Sequence, residues 1–99
     1  LGFDFKTVTK DMNTIDYSAF DIIINTSSEH IPDIQAWRST IPEGKIIIVQ
    51  NNNYEDGDGH VSTVNNSNQL RSKLNLSEVL YEGTKTFPQY SRFMIIGKT

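Results

Sequence analysis

The chain has 99 residues, a 36% hydrophobic fraction, a net charge of −3 and no cysteine. That length fits one domain, residues 1–99, with one modest core. The charge leaves no basic surplus to grip nucleic acid or anionic lipid, and the missing thiols exclude disulfides and thiolate metal sites.

No apolar run approaches the ~20 residues that span a bilayer, and no signal-peptide pattern is present. A chain without thiols fits a reducing compartment, so a cytoplasmic setting is expected. Sequons begin at Asn25, Asn65 and Asn75; without secretory signs they read as chance. The sequence opens on Leu1 rather than Met, so the natural domain is expected to start upstream.

In chain order, Phe3, Phe5, Thr7 and Thr9 alternate with Asp4, Lys6 and Val8, the period of a short strand. Asp11-Met12-Asn13 closes it. Asn13 to Phe20 forms a connector, with Ile15, Tyr17 and Phe20 expected to pack inward. Asp21-Ile22-Ile23-Ile24-Asn25 is the first strong strand and runs into Thr26-Ser27-Ser28-Glu29-His30. A helix follows, with Pro32 expected at its first position and Asp33 suiting its dipole. Ile34, Trp37 and Ile41 keep helical spacing, and Pro42 with Gly44 stops the run.

Lys45 to Gln50 is a second strand of the same kind, ending in Asn51-Asn52-Asn53. Continuous β-branched runs suit parallel strands buried on both faces and covered by helices. Strand, helix and strand in order make a right-handed βαβ unit. Asn51 to Asn66 reads as a polar loop. Ser67 to about Leu74 reads as a second helix burying Leu70 and Leu74, with Asn66 and Gln69 forming a weak capping box. Glu78 to Thr86 and Tyr90 to Lys98 read as an antiparallel ribbon.

The motif search narrows the chemistry. No GxGxxG, GxxxxGK[ST] or GxSxG occurs. A calcium loop fails in both glycine frames of the 51–66 stretch. His30 and His60 are the only histidines. A zinc site would need a carboxylate such as Glu29 or Asp58 beside them, and no HExxH or other metal spacing exists, so no metal is expected. The polar clusters after the two strong strands carry more weight. In open α/β sheets ligands bind outside the strands' carboxyl ends. Asn25 and Thr26 offer uncharged donors and acceptors there; the plainer reading makes them a turn, with Ser28 or His30 capping the helix. Asn51, Asn52 and Asn53 carry the same ambiguity. Trp37 lies on the helical stripe and reads as core.

The stretches Asp21–His30, Ile41-Pro42-Glu43-Gly44-Lys45 and Leu80-Tyr81-Glu82-Gly83, with the closing ribbon, resemble the C-terminal part of a class I S-adenosylmethionine-dependent methyltransferase. The resemblance covers nearly the whole chain. It implies a partial Rossmann-like α/β sheet: parallel strands with helices, then a C-terminal antiparallel β-hairpin. It assigns Asp11 and Met12 to the adenine, places Asn25 and Thr26 near the methionine end of the cofactor, and turns Glu29 and His30 toward the methyl acceptor as catalytic residues. The family's first strand, with its glycine-rich loop, has no counterpart here, so the isolated chain is expected to be inactive. Removing that strand bares the edge of Ile22 to Ile24, and either a homo-oligomer through that edge or the Phe3 to Thr9 strand moved into the vacant place is expected. The alternative reading is a small α/β binding or oligomerisation module unrelated to methyl transfer.

Overall fold

The computed structural model of the protein describes residues 16–57 and 59–99. The expected strand at Phe3–Thr9, and Asp11, Met12 and Ile15, lie outside the described residues. Two short 3₁₀ turns, Tyr17–Ala19 and Ser28–His30, flank the first strand, β1, Ile22–Asn25. The other elements are α1 (Ile34–Ser39), β2 (Ile46–Asn52), α2 (Ser67–Leu74), β3 (Glu78–Thr86) and β4 (Ser91–Lys98). No helix among the described residues is long and apolar enough to cross a membrane.

The four strands form one mixed sheet in the order β1-β2-β4-β3. The two isoleucine-rich strands run parallel, with Ile22 opposite Ile46 and Asn25 opposite Val49. Strand β4 lies antiparallel to both its neighbours, so the C-terminal hairpin joins the sheet through its second strand. A register shift between Val79 and Tyr81 leaves Leu80 as a bulge in β3. The fold is therefore α/β with one parallel pair and two antiparallel pairs.

The helices start where short polar side chains cap them. Asp33 Oδ1 accepts from Ala36 N at 3.0 Å, making Asp33 the cap of α1. Pro32 therefore sits just before the cap rather than at the first helical position. Neither Ser28 nor His30 caps α1, since both belong to the preceding turn. For α2 the cap is Asn66, whose Oδ1 accepts from Gln69 N at 2.9 Å; Gln69 Oε1 reaches back to Asn65 N at 2.9 Å, one residue short of a full capping box.

At the other ends of both helices one side chain serves twice. Arg38 donates to the carbonyls of Leu74 (2.6 Å) and Asn75 (3.2 Å) and to that of Ile41 (3.3 Å). The Leu74 carbonyl is one that helix geometry leaves without a partner, Asn75 is the C-cap of α2, and Ile41 lies just past the end of α1. Burial lowers the Arg38 pKa from its ordinary value, with nearby Glu43 opposing that shift.

One core forms from Ile23, Ile47, Val49, Phe93 and Ile95 on the sheet and Ile34, Trp37, Leu70 and Leu74 on the helices. Each such side chain, fully buried, stabilises the fold by about 1.5–3 kcal/mol. Tyr17 joins this core as expected: its hydroxyl accepts from Trp37 Nε1 at 3.0 Å and the two rings meet edge to face. The expectation of strands buried on both faces holds for one face only. Both helices contribute to this single core, and the opposite positions Ile22, Ile46, Ile48, Met94 and Ile96 are half-buried, with Ile24 exposed. A two-layer packing leaves that second face without a helix among the described residues.

Candidate functional site

The carboxyl ends of β1 and β2 lie side by side because the strands are parallel. Everything polar that follows each strand gathers at that edge. Asn25, the last residue of β1, is buried, and its Oδ1 accepts from Ser27 N at 3.0 Å. This is the turn chemistry that reverses the chain after β1. Thr26 is exposed just past the strand end.

β2 runs further than its isoleucines indicated and includes Asn51 and Asn52. Asn51 is completely buried. Its Nδ2 donates to Ser28 Oγ at 2.8 Å and to the Ser62 carbonyl at 3.0 Å, while its Oδ1 accepts from Asn52 N at 2.7 Å. Ser28 Oγ in turn donates to the Gln50 carbonyl at 2.6 Å. Asn51 thus anchors three pieces of chain, and its ambiguity resolves toward structure.

Glu29 and His30 occupy the 3₁₀ turn fastened by that network. The Glu29 side chain is only 5% exposed, and its Oε2 has no hydrogen-bond partner. Glu29 Oε1 lies 3.8 Å from His30 Nε2. The Glu29 carbonyl accepts from both Val61 N and Ser62 N at 2.9 Å, which draws the 59–62 loop over the turn. Ser62 Oγ completes the clamp by donating to the Ile31 carbonyl.

This loop delivers His60. The two imidazoles lie 4.6 Å apart between centroids, nearly perpendicular. His30 Nδ1 bonds the Gly59 carbonyl at 2.9 Å and His60 Nδ1 bonds the Tyr54 carbonyl at 2.6 Å. A carbonyl only accepts, so Nδ1 carries a proton in each ring, and in the neutral form of each the lone pair is on Nε2. Two glycines make room for the rings. A Cβ on Gly57 would lie 2.5 Å from His60 Nδ1, and one on Gly59 (φ +74°) would lie 3.0 Å from His30 Nδ1.

An aromatic row leads away from the pair. Tyr54 contacts the His60 ring at 6.0 Å and Tyr90 at 5.7 Å, and Tyr90 stacks on Phe87 at 5.0 Å. Arg92 closes the other side, donating from Nη2 to the Thr26 carbonyl and to Gln50 Oε1, both at 3.3 Å. Its Nε is buried without a partner.

The structure therefore brings Asn25, Thr26, Glu29 and His30 to one edge, while Asp11 and Met12 lie outside the described residues. Sequence reasoning missed Tyr54 and Arg92; it weighed His60 with His30 and Glu29 as zinc ligands and set that site aside for want of a metal spacing. Arg92 reaches the site because β4 is antiparallel, so its start meets the ends of β1 and β2. A shallow depression lined by Arg38, Gly44, Asn75 and Thr99 lies at the opposite end of the strands, away from these groups. No protein-family model matches this chain, and comparison with curated proteins gives no match.

Proposed function

We propose that this chain is part of a class I S-adenosylmethionine-dependent methyl-transfer domain and supplies the methionine-side and acceptor-side wall of its cleft. The observation that carries this reading is the sheet itself: a parallel pair with polar carboxyl ends, followed by an antiparallel hairpin. Ligand sites of open α/β sheets lie at those carboxyl ends. In this reading Asn25 and Thr26 border the cofactor, Asp11 and Met12 receive its adenine, and Glu29 and His30 face the acceptor.

The bound cofactor supplies an already activated methyl group, so the protein's task is alignment. His30, with Nδ1 committed to the Gly59 carbonyl, has Nε2 free to take a proton from an acceptor. The net charge of −3, without a basic surplus, favours a small-molecule or protein acceptor over nucleic acid. The chain holds no glycine-rich βα turn, so alone it is a weak binder without turnover.

Isotope-edited NMR with S-adenosylhomocysteine tests this. The expected result is weak, saturable shifts of the Asn25, Thr26 and Asn51 amides. Shifts confined to other parts of the sheet, or none at saturating ligand, sink the reading. Tight binding by this chain alone contradicts the need for a glycine-rich turn.

A second reading, a small α/β oligomerisation module, is favoured by the β1 edge. Among the described residues β1 pairs with β2 only, and an open strand edge invites another chain.

A further inference from the structure

We propose that Glu29, His30 and His60 form a binding site for a first-row divalent transition-metal ion, Zn²⁺ being the reference case. The three residues each present a ligand atom, and these atoms lie within 4.8 Å of one another. Two imidazoles and one carboxylate are a donor set of the kind that holds zinc and its neighbours with a coordination position left open. The inference needs no methyl-transfer cofactor, and it replaces the base role given to His30 above, because one Nε2 lone pair cannot both bind a metal and accept a proton.

Three independent features point to a cation. The first is Glu29 Oε2, a carboxylate oxygen buried without a partner, which an ion would satisfy. The second is the tautomer of both histidines. Metal-bound imidazoles characteristically donate their other N–H to a carbonyl or carboxylate. Here both Nδ1–H groups are held by backbone carbonyls, of Gly59 and Tyr54, which leaves Nε2 as the ligand atom of each ring. The third is preorganisation. The Glu29 carbonyl holds the amides of Val61 and Ser62, so the residue carrying the acid also fixes the loop carrying His60. Gly57 lets that ring sit where any side chain would collide with it.

The site opens to solvent, with the His30 side chain 45% exposed. Three protein ligands leave room for a water or a substrate oxygen, the arrangement of catalytic rather than closed structural sites.

Titration of the full chain with Co²⁺, followed by visible absorption and by competition with Zn²⁺, tests the proposal. The expected result is saturation at one equivalent, with d–d bands that Zn²⁺ abolishes. Glu29→Gln, His30→Gln and His60→Gln should each weaken binding by roughly 100-fold or more, given that even outer partners of such ligands contribute 10–100-fold. Circular dichroism of the metal-free forms checks that each variant folds. Histidine ring ¹⁵N NMR of the unaltered chain with Zn²⁺ gives an answer that needs no variant: both Nε2 resonances should move on binding while both Nδ1–H signals persist. Absence of saturable binding, binding unchanged in all three folded variants, or ligation through Nδ1 overturns the proposal.

Discussion

Asn51 Nδ2 lies 2.8 Å from Ser28 Oγ, and that bond fastens the end of β2 to the turn that follows β1. With its companion bond to the Ser62 carbonyl, it positions Glu29 and the loop that carries His60.

Asn51→Ala removes three hydrogen bonds from a fully buried position. Leaving buried groups unpaired costs about 1–3 kcal/mol each. Thermal unfolding should show the loss as a Tm drop of ~4–8 °C per kcal/mol for a domain of this size. A Tm within a degree of the parent's would show that water replaces the network at no cost.

The sole tryptophan offers a second measurement. Trp37→Phe keeps most of the apolar volume but loses the bond to the Tyr17 hydroxyl, at a cost of about 1 kcal/mol from that bond plus a packing term. Tyr17→Phe removes the same bond from the other side. A double-mutant cycle by urea denaturation should return a coupling between the two changes; strict additivity would mean the pair does not interact in solution.

These outcomes bear on how much of the fold the residues announce. Ile22–Ile24 and Ile46–Val49 announce strands because no helix stripe fits three or four consecutive β-branched residues, and their parallel pairing follows from the intervening helix. The hairpin was legible from two strand-like runs, Glu78 to Thr86 and Tyr90 to Lys98, with only a short break between them. The cap at Asp33 was not, because Pro32 also fits a helix start and only the bond to Ala36 N decides between them. Nor was the one-sided packing: an isoleucine reads the same on a covered face and on a half-covered one. For the site, Asn25, Thr26, Glu29 and His30 follow β1 directly and were legible from strand position alone. His60 and Arg92 arrive through a long loop and an antiparallel strand, and their place depends on contacts between residues far apart in sequence.

Asp16 gives a pH-dependent test. Hydrogen bonds from the Ser18 hydroxyl and then from its amide lower the Asp16 pKa below the ordinary value of 3.8. A depressed carboxylate contributes stability that is present above its unfolded pKa and lost as pH falls through the folded one. The window therefore lies below 3.8. In an NMR titration, Ser18→Ala should return the Asp16 midpoint toward its ordinary value; a midpoint that stays put would assign the shift to something other than Ser18.

The β1 edge supplies a further prediction. Light scattering of the chain should report a concentration-dependent dimer or larger species. Ile24→Lys places a charge on an exposed position of that strand, the device by which natural edges resist pairing. It should shift the distribution toward monomer. A monomer at every concentration for the parent chain removes the edge as a docking surface.

Arg38 sets the cooperativity of the helical layer. Because a guanidinium carried on the last turn of α1 holds the closing carbonyls of α2 and that of Ile41 just past α1, neither helix can fray at its last turn without loosening the other. The short α1, with six residues and little capacity to stand alone, borrows its persistence from α2, and the two should exchange their amide hydrogens as a single opening unit.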